Sequence, residues 1–223
     1  MGETEYRARP RGFAQPRYPL GVIEQLLNAF QAGGWVMYPL LVMSLVAVTL
    51  IVERAAFWSR THARGTLAFT NKVSAMLRGG RNDEARALSA KSGNIYARFT
   101  AELLAGRVSE SRAFELIEEL RPKIERYGTA LATIVAAAPL LGILGTVTGI
   151  IQSFNLIGSD DPVTDPTAVA AGIAQALYTT AYGLVVALVA LFPHAIYKTH
   201  SERCLARLEA MAAAANHTEK PEA

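Results

Sequence analysis

Cysteine is almost missing from this chain: there is one, Cys204, in 223 residues. A lone thiol excludes a framework of intrachain disulfides, and its position near the C-terminus marks it as an incidental residue of a tail. Histidine is sparse as well. His62, His194, His200 and His217 are scattered, and no Cys/His cluster has the spacing of a metal site. No glycine-rich nucleotide loop occurs, and no Ser/His/Asp set falls on plausible loops. These absences leave no case for an enzyme, a metal or a cofactor. The alternating pattern of a membrane barrel is lacking too.

Charge is the most telling absence. Residues 25–52, 127–159 and 166–197 contain no Asp, Glu, Lys or Arg, and His194 is the one imidazole among them. Each run exceeds the roughly 20 apolar residues that carry a helix across a bilayer. They predict an all-α integral membrane protein with transmembrane helices over residues 34–57, 128–157 and 167–196.

The middle run lacks bulk on one side. Pro139, Gly142, Thr146, Gly149 and Ser153 recur at helical spacing, while Leu140, Leu144, Val147 and Ile151 lie opposite. A lipid-facing surface is bulky, whereas a small face admits another backbone and its hydroxyls bond to a neighbour. Two readings follow: tight helix packing with nothing passing through, or the wall of a pore. The third run repeats the signature in Gly172, Ala176, Thr180, Gly183 and Ala187, with bulk at Leu177, Leu184, Val185 and Leu188. Gln175 and Thr179 add a second polar pair one turn apart. Thr146 and Thr180 each sit near the middle of their uncharged runs, and this match strengthens the pore reading.

The flanks set the organisation. Residues 1–19 are polar, arginine- and proline-rich, and read as a disordered tail rather than a signal peptide. Residues 20–33 place Leu20, Ile23, Leu27 and Phe30 on one face, a short amphipathic helix for the membrane surface. The first span is bracketed by Trp35 and Tyr38 at one end and by Phe57 and Trp58 at the other. Glu53-Arg54 closes it, and its Leu- and Val-rich face suits lipid. Residues 58–127 form a soluble domain of helices. Leu67, Val73, Met76 and Leu77 mark one, Ala85, Leu88 and Ala90 the next, and Ile95, Phe99, Leu103 and Leu104 a third. Phe114, Ile117, Leu120 and Ile124 then lead across Pro122 into the second span as one long helix. Fourteen of the 22 Lys and Arg residues lie between Arg54 and Arg126, whereas the loop at 158–166 carries Asp160, Asp161 and Asp165 and no cation. The positive-inside rule puts the large domain and the tail at 197–223 in the cytoplasm, and the N-terminus and acidic loop outside. Acidic residues interleave with the basic ones of the large loop, which argues against nucleic acid.

The segment Pro139-Leu-Leu-Gly-Ile-Leu-Gly-Thr-Val-Thr-Gly-Ile-Ile-Gln-Ser-Phe154 resembles the second-span motif of the MotA/TolQ/ExbB proton-channel family. Gly172-Ile-Ala-Gln-Ala-Leu-Tyr-Thr-Thr-Ala-Tyr-Gly-Leu184 resembles its third-span motif, and Glu53-Arg54 the pair that ends its first span. Three spans and one cytoplasmic loop are similar to the ExbB and TolQ branch. The resemblance implies a pentameric ring in the bacterial inner membrane whose second and third spans line a pore. It implies an ExbD- or TolR-like dimer with an intramembrane Asp inside that pore, and a TonB-like, TolA-like or motility protein downstream. The implied ion path takes in Thr146, Thr180, Gln175 and Thr179, with Gly142, Gly149, Ser153, Ala176 and Gly183 around them. Gln175 departs from the pattern, since ExbB and TolQ members carry glutamate there. The alternatives are a passive membrane scaffold and a small-solute transporter subunit, although no inverted repeat favours transport.

Overall fold

The computed structural model describes residues 33–61, 65–157 and 166–216. The expected tail at 1–19, nearly all of the amphipathic segment at 20–33 and the acidic loop lie outside them. The described residues are all-helical: α1 (Met37–Thr61), α2 (Thr66–Arg78), α3 (Asn82–Ala90), α4 (Ile95–Leu103), α5 (Glu110–Ile124), α6 (Gly128–Ile157) and α7 (Pro166–Asn216). Three of these, α1, α6 and α7, are long and apolar enough to cross a membrane.

Local chemistry accounts for the short helices. α2 ends in a Schellman turn: Gly80 takes φ 69°, Arg81 N–H donates to Met76 O and Gly80 N–H to Leu77 O. The Asn94 side chain accepts from the Ala97 N–H at the start of α4, and Ser109 from the Arg112 N–H at the start of α5. α3 has no such cap: Asn82 is its first helical residue, and Arg81 before it makes no side-chain capping bond. α2, α4 and α5 bury Val73, Leu77, Tyr96, Phe99, Leu103, Leu116 and Leu120 in one core. Leu67 and Phe114, expected on the inner faces, are exposed.

The C-terminal residues correct the expected tail. α7 runs 51 residues without a break, through Pro193, and its last third completes the core of the short helices with Cys204, Leu208 and Met211. Cys204 is therefore a core residue, and burial pushes its thiol up from the ordinary value. α1 likewise continues beyond Glu53-Arg54 and buries Trp58 and Thr61 against the same domain. α1 and α7 thus join the apolar layer to the core of the short helices.

The third connection is broken, where one long helix was expected. α5 stops at Ile124, two residues past Pro122, and α6 starts at Gly128. Tyr127 between them has φ 64°, the only positive φ of a non-glycine among the described residues. Such a joint leaves helix-end carbonyls without N–H partners. Arg54, which is 2% exposed, supplies donors from α1. Its Nη1 donates to the carbonyls of Ile124 and Arg126, both at 3.0 Å, and of Lys123 at 3.3 Å. Ser201 Oγ donates to Ile124 O from α7. Glu53, beside Arg54, accepts from its Nε at 3.1 Å.

Candidate functional site

Within the apolar layer, α6 and α7 lie side by side over most of the length of α6, and α1 packs on the outside of the pair. Met37, Leu40 and Ala47 of α1 meet Ile134 and Ala138 of α6 and Val186, Ala187 and Ala190 of α7. The opposite side of α1 is exposed at Val42, Leu45, Val48 and Val52, as a lipid-facing surface requires. Leu140, Leu144, Val147 and Ile151 on α6, with Leu177, Leu184, Val185 and Leu188 on α7, are all exposed. The small faces turn toward each other.

The closeness of that seam follows from the missing side chains. A Cβ on Gly183 would stand 2.6 Å from Ala138 O, and one on Gly142 3.0 Å from Thr180 Cα. A Cβ on Gly149 would lie 2.9 Å from that of Ala176, and Gly145 faces the Thr179 side chain. Ser153 closes the far end, donating to Val169 O across the seam at 3.3 Å. Gly142, Gly149, Ser153, Ala176, Thr179 and Gly183 are therefore buried between two helices of one chain.

Thr146 and Thr180 are placed differently. Both are half-buried, at the edge of the seam. Their hydroxyl oxygens are 2.9 Å apart, and Thr180 Oγ1 donates across the seam to Gly142 O at 2.9 Å. With Thr180 donating to that carbonyl, Thr146 supplies the proton between the two hydroxyls, or turns to its own helix at Ile143 O, 2.8 Å away. Each hydroxyl has one proton and spare acceptor capacity. The pair can accept a hydrogen bond from outside as it stands. It can give one only by breaking a bond within the chain, either to a carbonyl or between the two hydroxyls. It cannot hold a charge.

The expected pairing of Gln175 with Thr179 is not seen. Thr179 is buried against Gly145 and donates to Ala176 O at 2.7 Å. Gln175 is half-buried and points instead at the turn before α1, its amide nitrogen packed against Gly34, which takes φ 68°. Sequence reading missed this contact because nothing in the spacing links residue 175 to residue 34. It also took Arg54 as an end marker. A signal was available: Arg54, Trp58 and Thr61 recur at helical spacing, and all three are buried.

A seam of small residues between two uncharged spans, with a hydroxyl pair at its edge and a third span outside, defines a multi-pass membrane protein built around a helix pair. Comparison with known proteins agrees. Residues 98–210 match the MotA/TolQ/ExbB proton channel family. The ExbB-like 1 biopolymer transport protein of Synechocystis sp. is 37% identical over 177 residues, 75% of this chain and 68% of the relative. Another from that organism, ExbB-like 3, is 35% identical over 166 residues, covering 72% and 79%. The exbB1 biopolymer transport protein of Vibrio cholerae is 28% identical over 194 residues, covering 84% and 85%. The chain belongs to the MotA/TolQ/ExbB proton channel family, in its ExbB/TolQ-like branch, and is a proton-channel subunit of an ExbB/TolQ-type system.

Proposed function

We propose that this chain is the ring-forming subunit of an ion-driven motor in the bacterial inner membrane, working with an ExbD- or TolR-like dimer. The motor turns the proton motive force into mechanical work, passed to a TonB-like, TolA-like or motility protein. The soluble domain and the C-terminal end of α7 face the cytoplasm in this reading, in keeping with the distribution of Lys and Arg.

One observation carries the proposal: the half-buried Thr146–Thr180 hydroxyl pair stands in stretches, residues 127–159 and 166–192, that hold no carboxylate, imidazole or amine to take up and release a proton near neutrality. Proton relays through membranes use carboxylates or imidazoles. The titrating group must then come from another chain, and the intramembrane Asp of the partner helix is that group. Thr146 and Thr180 at the seam edge form the pore-facing polar point, which hydrogen-bonds this Asp or water beside it. Gly142, Gly149, Ser153, Ala176, Thr179 and Gly183 set the spacing of the wall behind them, and Gln175 borders the outer end of the path. In a ring of five, α1 is outermost.

Reconstitution tests this. The chain alone in liposomes should pass few protons, and co-reconstitution with a one-span partner carrying an intramembrane Asp should raise the flux. Thr146→Val and Thr180→Val keep shape and remove hydroxyls. Each should assemble normally and lose most gradient-driven activity. Full flux from the chain alone, or full activity in the double Val variant, would sink the proposal.

A further inference from the structure

We infer that the cavity beside the α5–α6 joint binds the phosphate headgroup of an anionic membrane phospholipid. The cavity is about 420 Å³, within the range of small-molecule sites. Its walls include Arg54, Trp58, Ile124, Arg126, Leu131 and Lys198. Its position is what selects a lipid. Arg126 is the last charge before the second uncharged run, Lys198 the first after the third, and Glu53-Arg54 the first charges after the opening run. The cavity therefore sits where all three spans leave the hydrocarbon layer. A soluble anion has no use for the Trp58, Ile124 and Leu131 wall, whereas a lipid brings glycerol and acyl carbons to it.

The charges of the wall favour an anion. Arg126 forms no ion pair among the described residues and stacks on the Tyr127 ring, 4.6 Å from its centroid. Lys198 likewise forms none there. Arg54 spends its donors on helix-end carbonyls, and its ion-pair partner, Glu53, does not line the cavity. Two carboxylates do line it. Glu125 is held by Arg121 at 3.3 Å, and Glu202 opposes the cations. With Arg54, Arg126 and Lys198 against these two, the balance remains cationic. Basic pockets between membrane helices on the cytoplasmic side recognise headgroups in this way.

Trp58 supplies the probe, because the chain has two tryptophans and Trp35→Phe leaves Trp58 alone. The full chain in that background is placed in vesicles with equal fractions of dibrominated phosphatidylglycerol or dibrominated phosphatidylcholine. Trp58 should be quenched more strongly by the anionic lipid. Each surface cation is worth about fivefold in local anionic lipid, so Arg126→Gln with Lys198→Gln should remove most of the preference. Arg78→Gln, which removes one charge from an exposed residue of the soluble domain, should leave it intact. Equal quenching by both lipids in the parent overturns the inference. So does loss of the preference in Arg78→Gln, which would mean a diffuse surface effect. Recovery of Trp58 emission on adding inorganic phosphate would assign the cavity to a soluble anion and overturn the lipid.

Discussion

Replacing Gly183 by Ala adds one methyl group at the place where the seam has the least room. The new Cβ would lie 2.6 Å from Ala138 O and 3.1 Å from Gly142 Cα, both backbone atoms. Ordinary contact starts at 3.4 Å, so α6 and α7 must part locally by about 0.8 Å, and no rotamer change can absorb the shift. Overpacking of this kind costs about 1–3 kcal/mol. The upper part of that range fits here, because membrane helices gain no water-driven term and depend on close packing. Parting also stretches the Thr180–Gly142 hydrogen bond, worth about 0.6 kcal/mol in a membrane protein. The expected total is about 2–3 kcal/mol. Gly172→Ala is the matched control. Its Cβ meets the Ser153 hydroxyl, a side-chain tip that can swing aside, so it should cost less. Denaturant titration of the protein in mixed micelles, followed by Trp fluorescence, reads both. A Gly183→Ala variant as stable as the parent, or less harmed than Gly172→Ala, would refute the idea that backbone approach holds this seam.

Two further outcomes are expected. Arg54→Gln leaves carbonyls at the α5–α6 joint without their donor, at about 1–3 kcal/mol for each group that water cannot reach; limited proteolysis should then cut near Glu125–Tyr127, and an uncut, fully stable variant would remove Arg54 from this role. Burial, helped by Arg203 and Arg207, holds the His200 imidazole below its ordinary value, so below pH of about 6.5 the unfolded chain takes up a proton that the folded chain refuses. The contribution of neutral His200 is thus complete above that pH and is lost as pH falls toward the depressed folded value. Melting temperature measured from pH about 7.5 to about 5 should fall less in His200→Gln than in the parent, and equal slopes would reject the assignment.

Much of this molecule is determined by its sequence alone. The three uncharged runs dictate three apolar helices, since a backbone in lipid must satisfy its own hydrogen bonds. The alternation of small and bulky residues dictates which sides of α6 and α7 are exposed, because side-chain size needs no partner to be read. The hydroxyls of Thr146 and Thr180 were visible as matched central groups for the same reason. What only the tertiary structure decided is where contacts distant in sequence are made. Helical periodicity places Thr179 and Thr180 within one turn of the seam, but only the packing of two backbones puts Thr179 inside it and Thr180 at its edge. The break after Ile124 is invisible in a pattern that continues across Pro122. It exists because Arg54 and Ser201, far away in the chain, bring donors to the carbonyls that the break exposes. The tail became core because Cys204, Leu208 and Met211 need a surface to bury against, and that surface forms only when α2, α4 and α5 have gathered beside them.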